Sequence, residues 1–227
     1  YARLFNNGTN IQLSNDIGKL FTTFHSKSTK QGNNLEEFIN EFINNETHLK
    51  VFKEPKKWFE QQTSLENIFK DKKVINKCFI PKKYFTECGV ECSNKSGIEL
   101  DYIIINPDKS ITCIEMKAGK NFDTKKSKGE ISSLMNIKEI LTNKGILVKE
   151  LLIVSYEATT STDISIKTDL KDVNKITFLT FLKRFLESPK AHEGKIYLKN
   201  KFEECADENL ILFRSEVTNL LDRINSS

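Results

Sequence analysis

The chain of 227 residues has little glycine and little proline, with 9 and 4 residues respectively. Both residue types interrupt regular structure, so their scarcity predicts long elements joined by short loops and no low-complexity linker. No apolar run is long enough to cross a bilayer, and no secretory segment is recognisable. We therefore expect an intracellular protein without a membrane partner, cytoplasmic or, if its source is eukaryotic or viral, nuclear or in a viral factory.

The cysteine pattern excludes a disulfide framework, because the chain has five cysteines at irregular spacing. Cys88 and Cys92 have the spacing of half a zinc site, but His25, His48 and His192 are too scattered to supply the other half. We expect ordinary reduced thiols. No Walker loop and no nucleophilic Ser or Cys triad is recognisable, which argues against those two classes of enzyme.

What the sequence does contain is typical of a globular domain. Hydrophobic residues make up 38% and charged residues 29%, and 16 Phe can supply a core. The 35 basic and 31 acidic residues leave a net charge of +4, too small to demand a nucleic-acid partner. The length fits one domain over residues 1–227, and we expect a core near 33–157 followed by a C-terminal extension over 158–227.

Hydrophobic periodicity and capping residues predict the helices. The predicted helical segments are 33–49, one or two helices within 51–75, 127–143 and 207–224. Runs rich in β-branched and aromatic residues predict the strands. The predicted strands are 83–87, the two arms of a hairpin within 99–117, 151–156, and a strand or helix start at 176–181. This order predicts an α/β fold with a mixed sheet flanked by helices.

The hairpin brings charged residues together. Its two β-rich runs flank a turn formed by Asn-Pro-Asp-Lys-Ser. If Ile105 pairs with Ile111 across this turn, Asp101 is opposite Glu115. Glu99 and Lys117 are then opposed two positions further on, and all four charged positions share one face of the sheet.

Two opposed carboxylates repel each other, so something must offset the repulsion, and a divalent cation does this well. Magnesium prefers hard oxygen ligands, and it neutralises phosphate and activates water when two acids hold it. Asp101 and Glu115 are the candidate ligands for Mg²⁺, with Mn²⁺ as a substitute. Lys117 on the same face can orient the attacking water or stabilise the transition state. These residues suit hydrolysis of a phosphodiester bond.

Asp101, thirteen intervening residues and then Glu115-Met116-Lys117 resemble the motif of the PD-(D/E)xK nuclease superfamily, although Leu100 stands where a Pro often precedes the Asp. The resemblance covers roughly residues 33–157. It implies a restriction-endonuclease-like core with the element order α-β-β-β-α-β. It also implies a further metal-binding and catalytic acid on the first helix, for which Glu36 is the candidate and Glu37 and Glu41 are alternates.

The resemblance implies a metal-dependent endonuclease that acts on double-stranded DNA, similar to type II restriction enzymes and working as a homodimer. A viral or mobile-element nuclease of the same fold, acting on RNA or on DNA ends, is the alternative. A catalytically inactive nucleic-acid-binding module remains open as well, as does an interaction protein whose hairpin acids are structural.

Two groups of lysines are candidates for contacts with the phosphate backbone. The first group lies in a predicted loop after the hairpin and comprises Lys120, Lys125, Lys126 and Lys128. The second, Lys27 and Lys30, lies in a polar loop before the first predicted helix. A solvated loop without a ligand is the competing interpretation in both cases. Trp58 is predicted to be a core residue rather than a platform for base stacking.

Overall fold

The computed structural model describes residues 36–54, 60–92, 96–122, 124–166 and 172–225, together with residues 56 and 169. The chain divides into two compact units. Residues 1–39 and 196–227 form the first unit, and residues 40–195 form the second. The hairpin with Asp101, Glu115 and Lys117 belongs to the second unit, whereas Glu36 and Glu37 belong to the first. The single domain over residues 1–227 stays a prediction.

A mixed sheet of six strands forms the centre of the second unit, in the order β1-β2-β3-β4-β6-β8. Its strands are β1 (Val51–Lys53), β2 (Val74–Pro81), β3 (Gly97–Ile105), β4 (Ile111–Lys117), β6 (Val148–Ser155) and β8 (Val173–Thr177). The pairs β2–β3 and β3–β4 are antiparallel, and β1–β2, β4–β6 and β6–β8 are parallel. Two short strands, β5 (Asn121–Phe122) and β7 (Ser165–Ile166), pair separately. The predicted mixed α/β sheet is confirmed.

The described helices and 3₁₀ turn are α1 (36–46), α2 (Leu65–Phe69), α3 (Lys82–Glu87), α4 (Thr124–Asn143), η1 (Ser161–Asp163), α5 (Phe178–Leu182) and α6 (Ser188–Asn225). One face of α4 carries Ile131, Leu134 and Ile137 and is buried in the same core cluster as Ile111 and Cys113 of β4. The periodic apolar stripe that predicts the helix thus also fixes it against the sheet.

The predicted hairpin register is confirmed, since Ile105 pairs with Ile111. The turn is stabilised by Asp108, whose carboxylate accepts hydrogen bonds from the main-chain N–H of Ser110 at 3.0 Å and from its hydroxyl at 2.6 Å. The Ser110 hydroxyl and N–H hold the pKa of Asp108 below its ordinary value. Lys109 adopts a positive φ of 62°, which closes the turn.

Two predictions within 51–97 need correction. Residues 51–75 contain a helix as predicted, α2, but they are not wholly helical, because Val51–Lys53 forms an edge strand parallel to β2. The predicted strand over 83–87 is the helix α3, whose Tyr84 and Phe85 are buried together after Pro81 ends the strand. Short apolar runs do not distinguish a helix turn from a strand by period, and here the tertiary contacts decide.

The structure also decides two further predictions, one that left strand and helix open and one that made a helix too short. The segment 176–181 contains both alternatives, because β8 ends at Thr177 and α5 begins at Phe178 with the Thr177 hydroxyl accepting the Thr180 N–H. The predicted helix 207–224 is part of the longer α6. In the part of the chain that the structure describes, no helix combines the length and apolar content needed to span a membrane.

Candidate active site

Asp101 lies where β3 and β4 separate. The last rung of their ladder pairs Tyr102 with Ile114, and Asp101 and Glu115 occupy the next opposed positions beyond it. The Oδ2 atom of Asp101 accepts a hydrogen bond of 2.7 Å from the main-chain N–H of Met116. The half-buried Asp101 side chain therefore fastens β3 to β4 where the main-chain pairing stops.

Glu115 and Lys117 project from one side of β4 because they are two residues apart. Their Oε1 and Nζ atoms are 2.5 Å apart, with 7% of the Glu115 side chain and 23% of the Lys117 side chain exposed. The Oε1 atom of Glu130 on α4 lies 3.0 Å from the same Nζ. Glu130 also lies close enough to Glu115 to raise the pKa of that carboxyl. Together with Asp101 these residues form what we call the acid–lysine cluster.

The cluster perturbs its own ionisation. Burial raises the pKa of Glu115 well above its ordinary value, the charge of Asp101 raises it further, and only Lys117 opposes this. Burial by itself would lower the pKa of Lys117, but the charges of Glu115, Asp101 and Glu130 together raise it. The neighbouring carboxylates thus hold Lys117 as an ammonium group, while burial and the charge of Asp101 make the charged form of Glu115 costly.

The end of β4 anchors the cluster to the next parallel strand. Lys117 pairs with Ser155 of β6, and the Lys117 carbonyl accepts the N–H of Tyr156 at 2.9 Å. The Ser155 hydroxyl donates to the carbonyl of Gly119 at 3.0 Å. The cluster therefore lies near the carboxyl ends of two parallel strands, a common position for ligand sites in α/β sheets.

A buried asparagine supports the cluster from the other side. Asn76 of β2 is fully buried, and its Nδ2 donates to the Asp101 carbonyl at 3.1 Å. Its Oδ1 accepts from Nδ2 of Asn40 at 3.0 Å, and Oδ1 of Asn40 accepts the Tyr102 hydroxyl at 3.1 Å. The adjacent Lys77 has a positive φ of 53°, so the backbone is strained opposite Asp101. The network compensates by satisfying every polar group that it buries.

The structure thus brings together Asp101, Glu115 and Lys117, the three residues that the hairpin register predicts to be neighbours. Glu99 differs from the expectation that it faces Lys117. Its carboxylate lies 3.4 Å from Nζ of Lys56. The reason is that β3 pairs at Glu99 with β2 and has already left β4.

The candidate third acid stays a prediction. Glu36 is half-buried and Glu37 exposed, and both belong to the first unit. Glu41, the other alternate, is exposed in the second unit. The lysines Lys27 and Lys30 lie outside the described residues.

The prediction that four lysines share one loop was wrong. Lys125, Lys126 and Lys128 lie in the first turns of α4, which begins at Thr124. Lys120 precedes it and is exposed, as is Lys128. The buried Ser127 shows that helical packing starts earlier than the apolar stripe predicts. Contacts with phosphate by these lysines stay a prediction.

Glu130 and Asn76 were not among the site residues predicted from the sequence. Glu130 had a detectable signal, because the buried Ser127 and Leu134 are three and four residues away and fall on the same helix face. A charged residue among buried neighbours is a candidate for a polar site. Asn76 had a weaker signal, a single amide in the largely apolar Val-Ile-Asn-Lys-Cys-Phe-Ile run, where Lys77 is the only charged residue.

The donors fit a hard divalent cation in chemistry, because carboxylates from Asp101 and Glu115 are adjacent and burial makes the Glu115 charge costly without one. Their present arrangement is closed by Lys117. Among the residues that the structure describes, no three His, Cys, Asp or Glu side chains are arranged to hold a metal. Binding would require Lys117 to release the Glu115 carboxylate.

Comparison with known protein families and with curated proteins gives no match to this sequence. The residues of the acid–lysine cluster and their geometry are therefore the basis for assigning the site.

Neutralising Glu115 should make stability less dependent on pH. Its folded pKa is raised, so its contribution to stability is complete below the ordinary value of 4.5 and is lost as pH rises toward the folded pKa. In EDTA, Glu115→Gln should therefore gain stability relative to the native chain as pH increases from 5 to 8. Urea denaturation at both pH values measures this difference. If Glu115→Gln instead loses stability relative to the native chain between pH 5 and pH 8, the raised pKa assigned to Glu115 is contradicted.

Removing the Asn76 side chain should destabilise the second unit strongly. Asn76→Ala leaves the Asp101 carbonyl and the Asn40 amide without their partner, at an expected cost of about 2–4 kcal/mol. The control is Asn136→Ala, which removes an amide that donates to the Glu91 carbonyl at 2.9 Å in an exposed position. Chemical denaturation should show a loss below about 1 kcal/mol for this control. Equal losses for the two variants would show that the buried network is unimportant.

Proposed function

We propose that the chain is a metal-dependent nuclease that hydrolyses phosphodiester bonds at the acid–lysine cluster. The observation that carries this proposal is the meeting of Asp101, Glu115 and Lys117 where β3 and β4 separate, with Asp101 tied to β4 through Met116. The motif resembles that of PD-(D/E)xK nucleases. The element order from α1 through the hairpin and α4 to β6 is compatible with a restriction-endonuclease-like topology.

In this mechanism Asp101 and Glu115 would hold Mg²⁺, for which Mn²⁺ can substitute. When bound, the ion supplies Lewis acidity at the phosphate and lowers the pKa of a coordinated water. Lys117, released from Glu115, donates hydrogen bonds to a non-bridging oxygen of the scissile phosphate or to the attacking water. Glu130 keeps the ammonium of Lys117 oriented from the side of α4. Lys120 and Lys128, both exposed near this end of the sheet, would contact neighbouring phosphates.

The favoured substrate is double-stranded DNA, cut by a homodimer in the manner of type II restriction enzymes. A two-fold dimer presents two identical sites to the two antiparallel strands, which is the simplest way for a small chain to break a duplex. Action on RNA or on DNA ends, as in viral or mobile-element nucleases of this fold, is the alternative. It uses the same cluster, so only the substrate distinguishes the two.

One observation favours a second candidate function, a nucleic-acid-binding module without activity. Lys117 closes the gap between Glu115 and Glu130 with an ion pair on each side. In such a module, the lysine would replace the metal permanently, and the chain would bind nucleic acid with the same affinity in Mg²⁺ and in EDTA.

The decisive experiment incubates the purified chain with plasmid DNA and with structured RNA, each with Mg²⁺, Mn²⁺ or EDTA. Discrete DNA fragments that require the metal support the restriction-like function, and metal-dependent RNA products support the alternative. Binding of either nucleic acid without cleavage in any metal identifies the inactive module. If the chain neither cleaves nor binds either nucleic acid, the proposal is overturned. Analytical ultracentrifugation with and without a DNA duplex measures whether the chain is a dimer.

A further inference from the structure

A cavity lies at the other end of the central sheet from the acid–lysine cluster, within the second unit. Its volume is about 820 Å³, within the range of pockets that take small molecules. Three chain segments border it: residues 70–73 before β2, residues 106–109 of the hairpin turn, and residues 149–150 at the start of β6. Arg184 and Phe185, which follow the end of α5, complete the wall.

Main-chain hydrogen bonds fix these segments around the cavity. The N–H of Ile105 donates to the Lys73 carbonyl at 2.8 Å, which joins the first segment to the base of the hairpin. The N–H of Ile111 donates to the Leu147 carbonyl at 2.8 Å, which joins the start of β6 to the other arm. The walls of the cavity are therefore preorganised by the sheet.

The cavity has an apolar floor and a cationic rim. Leu49, Ile104 and Phe185 supply apolar surface, and Leu49 and Ile104 are almost fully buried. Six Lys and Arg side chains line the cavity, against the two carboxylates of Asp71 and Glu150. The six cations exceed the two carboxylates by four, and this local excess equals the net charge of +4 of the whole chain.

Some of these cations already have carboxylate partners. Arg184 is paired with Glu150, and Lys149 lies 3.8 Å from Asp108. No ion pair between described residues involves Lys70, Lys73 or Lys109. All three are exposed on the rim. Three solvated ammonium groups above an apolar floor are suited to an anion of high charge with an apolar body.

The cavity is separate from the acid–lysine cluster. Thr112 lines it, and Thr112 and Glu115 are three residues apart on β4, so their side chains leave opposite faces of the sheet. The two positions are also about 10 Å apart along the strand. A ligand in the cavity would not touch Glu115 or Lys117. A nucleic-acid duplex is moreover too wide to enter a cavity of this volume, which favours a small ligand.

We propose that this cavity binds a nucleoside di- or triphosphate. Lys70, Lys73 and Lys109 contact the phosphates, and the base packs on the floor formed by Ile104 and Phe185. The site is independent of the proposed nuclease chemistry, because it lies at the other end of the sheet and uses none of the residues of the acid–lysine cluster.

Isothermal titration calorimetry in EDTA tests the proposal with ATP, GTP, adenosine and tripolyphosphate as probes. EDTA prevents metal-dependent cleavage, so the result does not depend on whether the chain is a nuclease. We expect a nucleoside triphosphate to bind more tightly than tripolyphosphate or adenosine, since it engages both the rim and the floor. If neither ATP nor GTP binds, the proposal is overturned. If tripolyphosphate binds as tightly as ATP and GTP, the assignment of the ligand as a nucleotide is overturned.

Charge-neutral variants locate the site. The triple substitution Lys70→Gln, Lys73→Gln and Lys109→Gln should weaken triphosphate binding by about tenfold or more, since a hydrogen bond to a charged group contributes roughly that factor. Phe185→Ser should weaken the binding of ATP but leave the binding of tripolyphosphate unchanged. The control is Lys82→Gln, an exposed lysine beyond the opposite end of β2. Affinity that is unchanged in the triple variant, or reduced equally in the control, places binding elsewhere. Circular dichroism and thermal denaturation show that each variant is folded.

Discussion

Asp101→Asn should abolish metal-dependent cleavage while leaving the fold intact. The amide oxygen can still accept the Met116 N–H that Asp101 accepts at 2.7 Å, so the strands stay fastened. The negative charge that a divalent ion needs is lost, however. We expect the cleavage rate to fall by about a hundredfold to a thousandfold or more, as when an essential electrostatic group is removed from an active site. Initial rates on plasmid DNA and on structured RNA measure the loss.

Glu99→Gln is the matched control for Asp101→Asn, because it removes a carboxylate from the same strand only two residues away. Glu99 is paired with Lys56 rather than with the acid–lysine cluster. This variant should retain the native rate within about threefold. Comparable activity in Asp101→Asn and the native chain would attribute cleavage to a contaminant or to another site. A comparable loss in both variants would show that general charge, not the cluster, controls cleavage.

Lys117→Met should destabilise the metal-free protein markedly at neutral pH. It leaves Glu115 and Glu130 as neighbouring acids without their shared cation, and breaking a buried ion pair by removing one partner is costly. Because 23% of the Lys117 side chain is exposed, we expect a loss of about 2–4 kcal/mol, below the cost at a fully buried site. That loss corresponds to a fall of roughly 5–15 °C in Tm for a chain of this size. Thermal denaturation in EDTA at pH 7.5 measures it.

The loss in Lys117→Met should diminish toward pH 5. Without the ammonium group, the pKa of Glu115 is raised further, and a carboxyl with a raised folded pKa loses its stabilising contribution as pH increases. Adding Glu130→Gln to Lys117→Met should recover part of the stability at pH 7.5 by removing one of the two acids. Lys120→Met, at an exposed lysine three residues away, should be neutral. A pH-independent loss, or one equal to that of Lys120→Met, would contradict the account of the cluster.

Both predictions concern the same charges but in different states of the site. Lys117 is paired with both Glu115 and Glu130 when no metal ion is bound, and the proposed mechanism requires it to turn toward the phosphate when one binds. Mg²⁺ should therefore stabilise the native chain and should have little effect on Asp101→Asn. Differential scanning calorimetry with increasing Mg²⁺ measures this difference, because a ligand that binds only the folded state raises Tm.

The hairpin shows how far pattern alone carries the prediction. Two β-rich runs around Asn-Pro-Asp-Lys-Ser determine the pairing of Ile105 with Ile111, because the side-chain period of two leaves one register that buries the apolar face. That register is sufficient to place Asp101 beside Glu115. It does not predict where β3 and β4 separate. That position depends on the pairing of β3 with β2, which continues to Gly97, and on the strained backbone of β2 at Lys77.

Other errors have the same origin. The strand Val51–Lys53 has no strong pattern of its own and exists because it adds to the edge of β2. The helix α3 contains aromatic residues that favour a strand locally, yet Tyr84 and Phe85 are buried more effectively in a helix turn after Pro81. In both segments the local preference is weak, so the packing of neighbouring elements decides the conformation.

The sequence by itself determined the α/β class, the hairpin register and the neighbourhood of Asp101, Glu115 and Lys117, because these follow from side-chain periodicity over a few adjacent residues. Only the tertiary structure decided that Glu130 completes the charge cluster, that Asn76 supports Asp101, and that Glu99 turns to Lys56. These contacts join residues far apart in the chain, and their partners are selected by the packing of helices and strands rather than by any local pattern.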